Sequence, residues 1–400
     1  MLDAYIYDGL RSPFGRHAGA LAPVRPDDLV AEVMRTLVAR SPWKPEEIED
    51  VILGCTNQAG EDARNVARNS LLAADFPVTV PGQTVNRLCA SGLAAVIDAA
   101  RAVTCGEGEI FVAGGVESMS RAPFVLGKAE SAYSREFRMF DSTIGARFPN
   151  PKVTARYGAD TMPETGDNVA KEFGISREDA DRFAAASQAK YEKARAAGFF
   201  AGEIHPITVP TGRKTPPKVV DRDEHPRPET TLEALARLKP LYEGGVVTAG
   251  NASGVNDGAA ALLVGSREAG ERKGAKPIAR ILAAAAAGVE PRIMGIGPVY
   301  AIRKALERAK LELSDMDIIE INEAFASQVL GCLKLMNVAF DDERVNPNGG
   351  AIAVGHPLGA SGARLALTAA RELQRRQGRY AAVSLCIGVG QGLAIIMERV

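Results

Sequence analysis

This sequence is poor in the side chains from which most reactive centres are built. Its 400 residues include 4 histidines, 5 cysteines and 1 tryptophan. No HExxH pattern, P-loop or serine-hydrolase elbow is present, which removes three common catalytic classes. The cysteines (Cys55, Cys89, Cys105, Cys332 and Cys386) are odd in number, widely spaced and free of any CxxC pair. Neither a disulfide framework nor a metal site is therefore expected, and free thiols fit a reducing compartment. Net charge is scarce too: 48 basic against 49 acidic side chains leave −1, no footprint for a nucleic-acid partner. The longest apolar run, 281–289, has about nine residues, well short of the ~20 of a membrane helix. The opening MLDAYIYDG lacks the basic-then-apolar order of a secretory leader. A cytoplasmic protein, with no membrane partner, is expected.

Glycine is what the chain has in excess, 40 of 400 residues, a tenth against a usual ~7%. Short β-branched runs alternate with helix-period segments: strands at 4–7, 50–53 and 109–113, helices at 27–40, 65–74 and 91–103. This alternation predicts layered α/β structure. Residues 119–245 are polar and irregular, with seven prolines between Pro206 and Pro240 and one amphipathic helix at 177–197. They read as an inserted loop domain. From 276 onward the alternation resumes and resembles the first part. A shift of 270 lays Ala90-Ser91-Gly92 on Ala360-Ser361-Gly362, and IEDVIL at 48–53 resembles MDIIEI at 316–321. The expected organisation is a first half of 1–118 with 246–275, an inserted domain of 119–245, and a second half of 276–400.

Cys89, in NRLCASG, stands where a strand run gives way to a helix. A helix N-terminus favours thiolate, so a lowered pKa is expected there; taken alone, a cysteine is as readily buried filler, the role assigned to Cys55, Cys105 and Cys332. His356 sits in the glycine-rich NGGAIAVGHPLGASGAR and suits a general base, while His17, His205 and His225 read as surface residues. Cys386 opens CIGVGQG at a strand end, beside N–H groups fit for an anion, or is simply buried. Only eight residues follow Gly392, too few for a dinucleotide-binding unit. Asn322, in INEAFA, suits an oxyanion or water contact, or a helix N-cap. Ser253, in TAGNASGVNDGAAA, lies in a glycine-rich segment that covers a ligand or merely turns.

Together these segments resemble the thiolase family along the whole chain, through NRLCASG, GGVESMS, TAGNASGVNDGAAAL, MGIGPV, INEAFA, NPNGGAIAVGHPLGASGARL and CIGVGQG in order. The resemblance implies an α/β fold of two similar halves in five layers, αβαβα, with a loop domain inserted into the first. It implies acyltransferase chemistry, with coenzyme A as co-substrate, no permanently bound cofactor, and a homotetramer built as a dimer of dimers. Carried over by residue, it makes Cys89 the acyl-accepting nucleophile, His356 its base and Cys386 the second acid/base. Asn322 would hold a water at one oxyanion, while the N–H groups of Cys89 and Gly388 would face the other. CoA and acyl contacts would fall to Arg227, Ser253, Met162, Met294 and Phe325. Ala234 stands where some relatives place a serine against the CoA nucleotide.

NQAGEDARNVAR, FDSTIGARFPNP and DEHPRPETTLEALARLKP most resemble thiolases acting on 3-oxoadipyl-CoA in bacterial aromatic degradation. That substrate ends in a carboxylate, which an apolar pocket rejects, and Arg147 is the expected partner unless it serves a surface ion pair. A broader 3-ketoacyl-CoA or acetoacetyl-CoA thiolase is the alternative within the family. A ketoacyl synthase is disfavoured because it pairs two histidines with its cysteine. A noncatalytic acyl-CoA or lipid carrier is disfavoured by the intact Cys89, His356 and Cys386.

Overall fold

A computed structural model of the chain describes residues 1–212 and 215–400. Its main strands are β1 (Ala4–Arg11), β2 (Asp50–Gly54), β3 (Gly82–Val85), β4 (Ile110–Ser118), β5 (Asn256–Gly265), β6 (Ala279–Gly288), β7 (Ile318–Ile321), β8 (Tyr380–Ile387) and β9 (Gln391–Glu398). The helices that matter here are α1 (Pro26–Ala39), α2 (Val66–Ala73), α3 (Ser91–Cys105), α4 (Met162–Phe173), α5 (Arg177–Ala196), α6 (Gly297–Ala309), α7 (Ala326–Met336) and α8 (Leu358–Arg376).

The internal resemblance in the sequence reappears as a repeated pairing scheme. In the first half β2 runs parallel to β4, β4 antiparallel to β5, and β5 antiparallel to β1. In the second half β7 runs parallel to β8, β8 antiparallel to β9, and β9 antiparallel to β6. The halves join where β1 pairs with β6, Tyr5 opposite Arg280.

Three apolar clusters separate five layers. One packs α1 and α2 on the outer face of the first half, through Val30, Met34, Leu37 and Leu71. A second packs α6 and α7 on the second half, through Val299, Ile302, Val329 and Leu333. The third lies between the halves and is built around α3 and α8. These two central helices cross almost backbone to backbone. A Cβ on Gly92 would lie 2.4 Å from the Gly359 carbonyl oxygen, and one on Gly362 would lie 2.3 Å from the Leu93 nitrogen. Only glycine admits that approach. The crossing brings the starts of α3 and α8 together, and with them the loops that carry Cys89 and His356.

The region between β4 and β5 holds more helix than the sequence reading allowed. Besides α5, it contains α4, whose buried face is Thr165, Gly166, Val169 and Ala170; its apolar residues do recur at helical spacing, but Pro163 and the polar remainder of the segment hide the stripe. Segment 256–265 likewise forms a strand that is buried throughout. A strand covered on both faces has no alternation to read. Arg11, fully buried, ties the inserted region to β1 through ion pairs with Glu203 and Asp223, and Tyr191 donates a further hydrogen bond to Asp223.

Candidate active site

The loop before α3 is held by its own polar side chains. The Asn86 amide oxygen accepts from the Leu88 N–H, Ser91 Oγ accepts from the Arg87 N–H, and the Ser91 hydroxyl donates to the Leu88 carbonyl. Leu88 is thereby kept at φ 47°, a left-handed conformation that a branched side chain adopts only when its surroundings impose it. Cys89 follows it, partly open to solvent. Its sulfur faces the N–H groups of Gly388 and of Cys89 itself.

The expected lowering of the Cys89 pKa is overturned. Burial raises the thiol to about 11, and the two N–H contacts offset only part of that. The reason is position: Cys89 stands ahead of the α3 N-cap, Ala90, with protein packed around its sulfur although the residue remains partly open to solvent. Desolvation outweighs the helix dipole there.

His356 is buried and its backbone is fixed from β5, where Asn256 Oδ1 accepts its N–H at 2.9 Å. Gly355 before it has φ 103°, and a Cβ there would strike the Asn256 amide. The two ring nitrogens have different partners: Nδ1 lies 2.6 Å from Ser361 Oγ, and Nε2 lies 3.4 Å from the Asn322 amide nitrogen. Because the Ser361 hydroxyl donates to the Pro357 carbonyl, its oxygen is left to accept from Nδ1–H. That assigns the proton to Nδ1 and the lone pair to Nε2. Burial, with Arg364 adding to it, pushes the imidazole down to about 3, so it is neutral at working pH.

Asn322 is fully buried at the end of β7, its N–H donating to the Ser384 carbonyl. Its Oδ1 has no hydrogen-bond partner among the described residues, an atom that needs a polar guest. The N-cap reading fails, because Phe325 caps α7. Cys386 lies at the end of β8, and the neighbouring Cys89 is among the charges that hold its thiol well above the usual value, after burial itself.

The remaining residues divide by place. Cys386, Met294 and Phe325 share one apolar cluster with Val247, Ala252 and Ala324. Met162 Sδ would lie 3.8 Å from a Cβ on Gly388, where Leu88 also approaches. Ser253 is tied to the Asn322 loop, its N–H donating to the Ala324 carbonyl. Arg227 is exposed, its backbone N–H donating to Gln188 and its carbonyl accepting from Thr230; the structure does not bring it into the cluster. Arg147 reaches Asn57, donating from Nη2 to its carbonyl at 3.2 Å, while Nη1 is buried without a partner among the described residues. Among the described residues it has no ion-pair partner.

Two further expectations are corrected. Cys105 is exposed at the end of α3 rather than buried filler. His225 is not a surface residue: its ring lies against Gly254, next to Ser253, and burial pushes it down to about 4.

Glu117, within GGVESMS, went unremarked in the sequence. Its carboxylate accepts from the Thr56 N–H and hydroxyl, the Asn57 N–H and the Gly359 N–H. It braces the loop after β2 against the start of α8. Cys55 and Asp62 lie within 4.8 Å of it, but those four donors leave little of the carboxylate free for a cation. An acid following two strand glycines was the available signal. Ser361 and Asn256 were likewise overlooked, since nothing local marks their reach to His356.

A nucleophile beside two N–H donors, a neutral imidazole with an unprotonated Nε2, and a second buried thiol can form and resolve an acyl-thioester. Residues 4–268 match the family described as "Thiolase, N-terminal domain", and residues 275–399 match "Thiolase, C-terminal domain". This chain belongs to the thiolase family. It is 58% identical over 402 residues to the 3-oxoadipyl-CoA/3-oxo-5,6-dehydrosuberyl-CoA thiolase of Escherichia coli, covering 100% of both chains. It is 57% identical over 404 residues to a beta-ketoadipyl-CoA thiolase of Acinetobacter baylyi, again covering 100% of both. Among solved structures, human mitochondrial 3-ketoacyl-CoA thiolase in complex with CoA superposes with a TM-score of 0.91 at 38% identity, covering 100% of this thiolase and 98% of that chain. The five-layered α/β architecture of this thiolase is thus the family fold.

Proposed function

We propose that this thiolase cleaves 3-oxoadipyl-CoA with free CoA, giving succinyl-CoA and acetyl-CoA. The observation that carries the reading is the 58% identity, over the full length of both chains, to a relative named for that substrate. In the proposed sequence His356 Nε2 takes the Cys89 proton, and the thiolate adds to the 3-keto carbon. The Cα–Cβ bond breaks, leaving a succinyl thioester on Cys89, and the acetyl-CoA enolate is protonated by Cys386. Cys386, now thiolate, deprotonates CoA, whose sulfur takes the succinyl group, and His356 returns its proton to the departing Cys89 thiolate. The N–H groups of Cys89 and Gly388 support the tetrahedral oxygen; His356 and a water held by Asn322 support the enolate.

CoA is read as a co-substrate held by Ser253 and Arg227, with Met162, Met294 and Phe325 along the pantetheine and acyl path. Arg147 is read as the partner of the substrate's distal carboxylate. We infer assembly as a homotetramer from the exposed apolar hairpin of the inserted region, where Phe124 is 69% and Phe137 70% accessible. The three-part division at 118, 245 and 275 and a cytoplasmic location belong to the same reading, the latter supported by five free cysteines. The test follows the ultraviolet absorbance of the magnesium enolate of 3-oxoadipyl-CoA, acetoacetyl-CoA and longer 3-oxoacyl-CoA esters on adding CoA. Preferred loss of the 3-oxoadipyl signal is expected. Equal or greater rates on uncharged chains would replace the reading with a broad-range thiolase.

A further inference from the structure

Behind His356, two ionisable side chains, one acidic and one basic, enter the protein interior along the same elements that hold its ring. Asn322 faces Nε2 from β7, and Glu320 lies two residues before it on the same strand face. Ser361 faces Nδ1 from α8, and Arg364 lies three residues after it on the same helix face. Glu320 is 0% and Arg364 2% accessible.

Neither carboxylate oxygen of Glu320, and neither Nε nor Nη2 of Arg364, has a hydrogen-bond partner among the described residues. Yet each is the other's foremost charged neighbour. Arg11 is the contrast, its guanidinium locked in direct ion pairs with Glu203 and Asp223. A charge so paired is largely cancelled on the spot. Burial pushes the Glu320 carboxyl up to about 8, so near neutrality it cancels only part of the Arg364 charge, and Arg364 is the charged group that acts on His356. The other charges facing the pair are Glu323, Glu372 and Lys190 around Glu320, and Arg11, Glu203 and Glu323 around Arg364.

We propose that Arg364 and Glu320 are positioning residues for His356, Arg364 opposing a proton on Nε2 until an anion forms beside the ring, and Glu320 moderating Arg364. The idea rests on the thiolase reading of His356. It means that the imidazolium is disfavoured in the resting enzyme and tolerated only against the Cys89 thiolate or the substrate enolate. The charge is then stabilised selectively in the transition state.

The test is the pH dependence of kcat/KM for thiolysis, with melting temperature as the control for folding. Removing the cation in Arg364→Gln lets the imidazole hold its proton more tightly. The acid limb of the profile should then move up by about one pH unit or more. Arg364→Lys keeps the charge and should keep the limb near its original position. Should Arg364→Gln fail to fold with Glu320 left unpaired, the double variant Glu320→Gln, Arg364→Gln removes both ionisable groups, and its limb should rise likewise. A folded variant without the cation whose acid limb stays in place overturns the proposal. That failure is separate from failure of the thiolase reading, which would show as no CoA-dependent cleavage by the unaltered enzyme.

Discussion

Nδ1 of His356 lies 2.6 Å from the hydroxyl oxygen of Ser361, and the Ser361 proton goes to the Pro357 carbonyl. Ser361→Ala removes the acceptor that assigns the ring proton. A lost hydrogen bond that leaves a buried partner unsatisfied costs ~1–3 kcal/mol, or roughly 10–100-fold. We expect that loss in kcat, with KM little changed, because Ser361 is buried behind the ring. Unchanged kcat in a folded Ser361→Ala variant would refute the assignment.

The raised Cys89 thiol makes a prediction about the free enzyme. A thiol at about 11 is almost wholly protonated at neutral pH, and only thiolate reacts with iodoacetamide. Alkylation of Cys89, followed on its own peptide because Cys105 is exposed, should therefore speed up roughly tenfold per pH unit through the neutral range. A rate that levels off below neutrality would mean a resting thiolate, as the helix-dipole argument alone predicts.

Asn322 is placed to act on a developing charge rather than on the fold alone, since its Oδ1 lacks a partner and its Nδ2 faces His356 Nε2. Asn322→Ala should lower kcat by ~10²–10³, the usual cost of one oxyanion donor. KM for CoA should change much less. Comparing steady-state rates with the melting temperature separates this from a packing defect, and a loss confined to stability would count against the role.

Arg147 links substrate choice to the inserted region. Its Nη2 is fixed on the Asn57 carbonyl while Nη1 is unpartnered. Losing a charge-assisted contact to the distal carboxylate costs ~1.5–3 kcal/mol. Arg147→Gln should therefore cut kcat/KM for 3-oxoadipyl-CoA by roughly 10–100-fold and leave acetoacetyl-CoA nearly unaffected. An equal fall for both substrates would remove Arg147 from the specificity argument.

Much of the architecture was legible in the chain because its signals are local or repeated. The shift that aligns Ser91 with Ser361 marks two elements that share one pairing scheme and meet at the Gly92–Gly362 crossing. Cys89, His356, Asn322 and Cys386 could be named from their settings, each a loop or strand end rich in small residues. Strand β5 was less visible because it is buried throughout and has no alternation to read, and helix α4 because its narrow apolar stripe sits in a segment that is polar on average.

What the sequence by itself determined, then, is the family, the duplicated halves and the kinds of side chain at the centre. Those follow from short-range pattern, which survives in one dimension. Protonation did not follow. The same Cys89 that a helix N-terminus would acidify is raised to about 11, and the same His356 that suits a base near neutrality is pushed down to about 3. The Cys89 shift arises from burial, which the Gly388 N–H only partly offsets, and the His356 shift from burial with Arg364 adding to it; these surroundings lie on other elements or more than a turn away. Desolvation and charge act through space, and only the folded chain sets those distances.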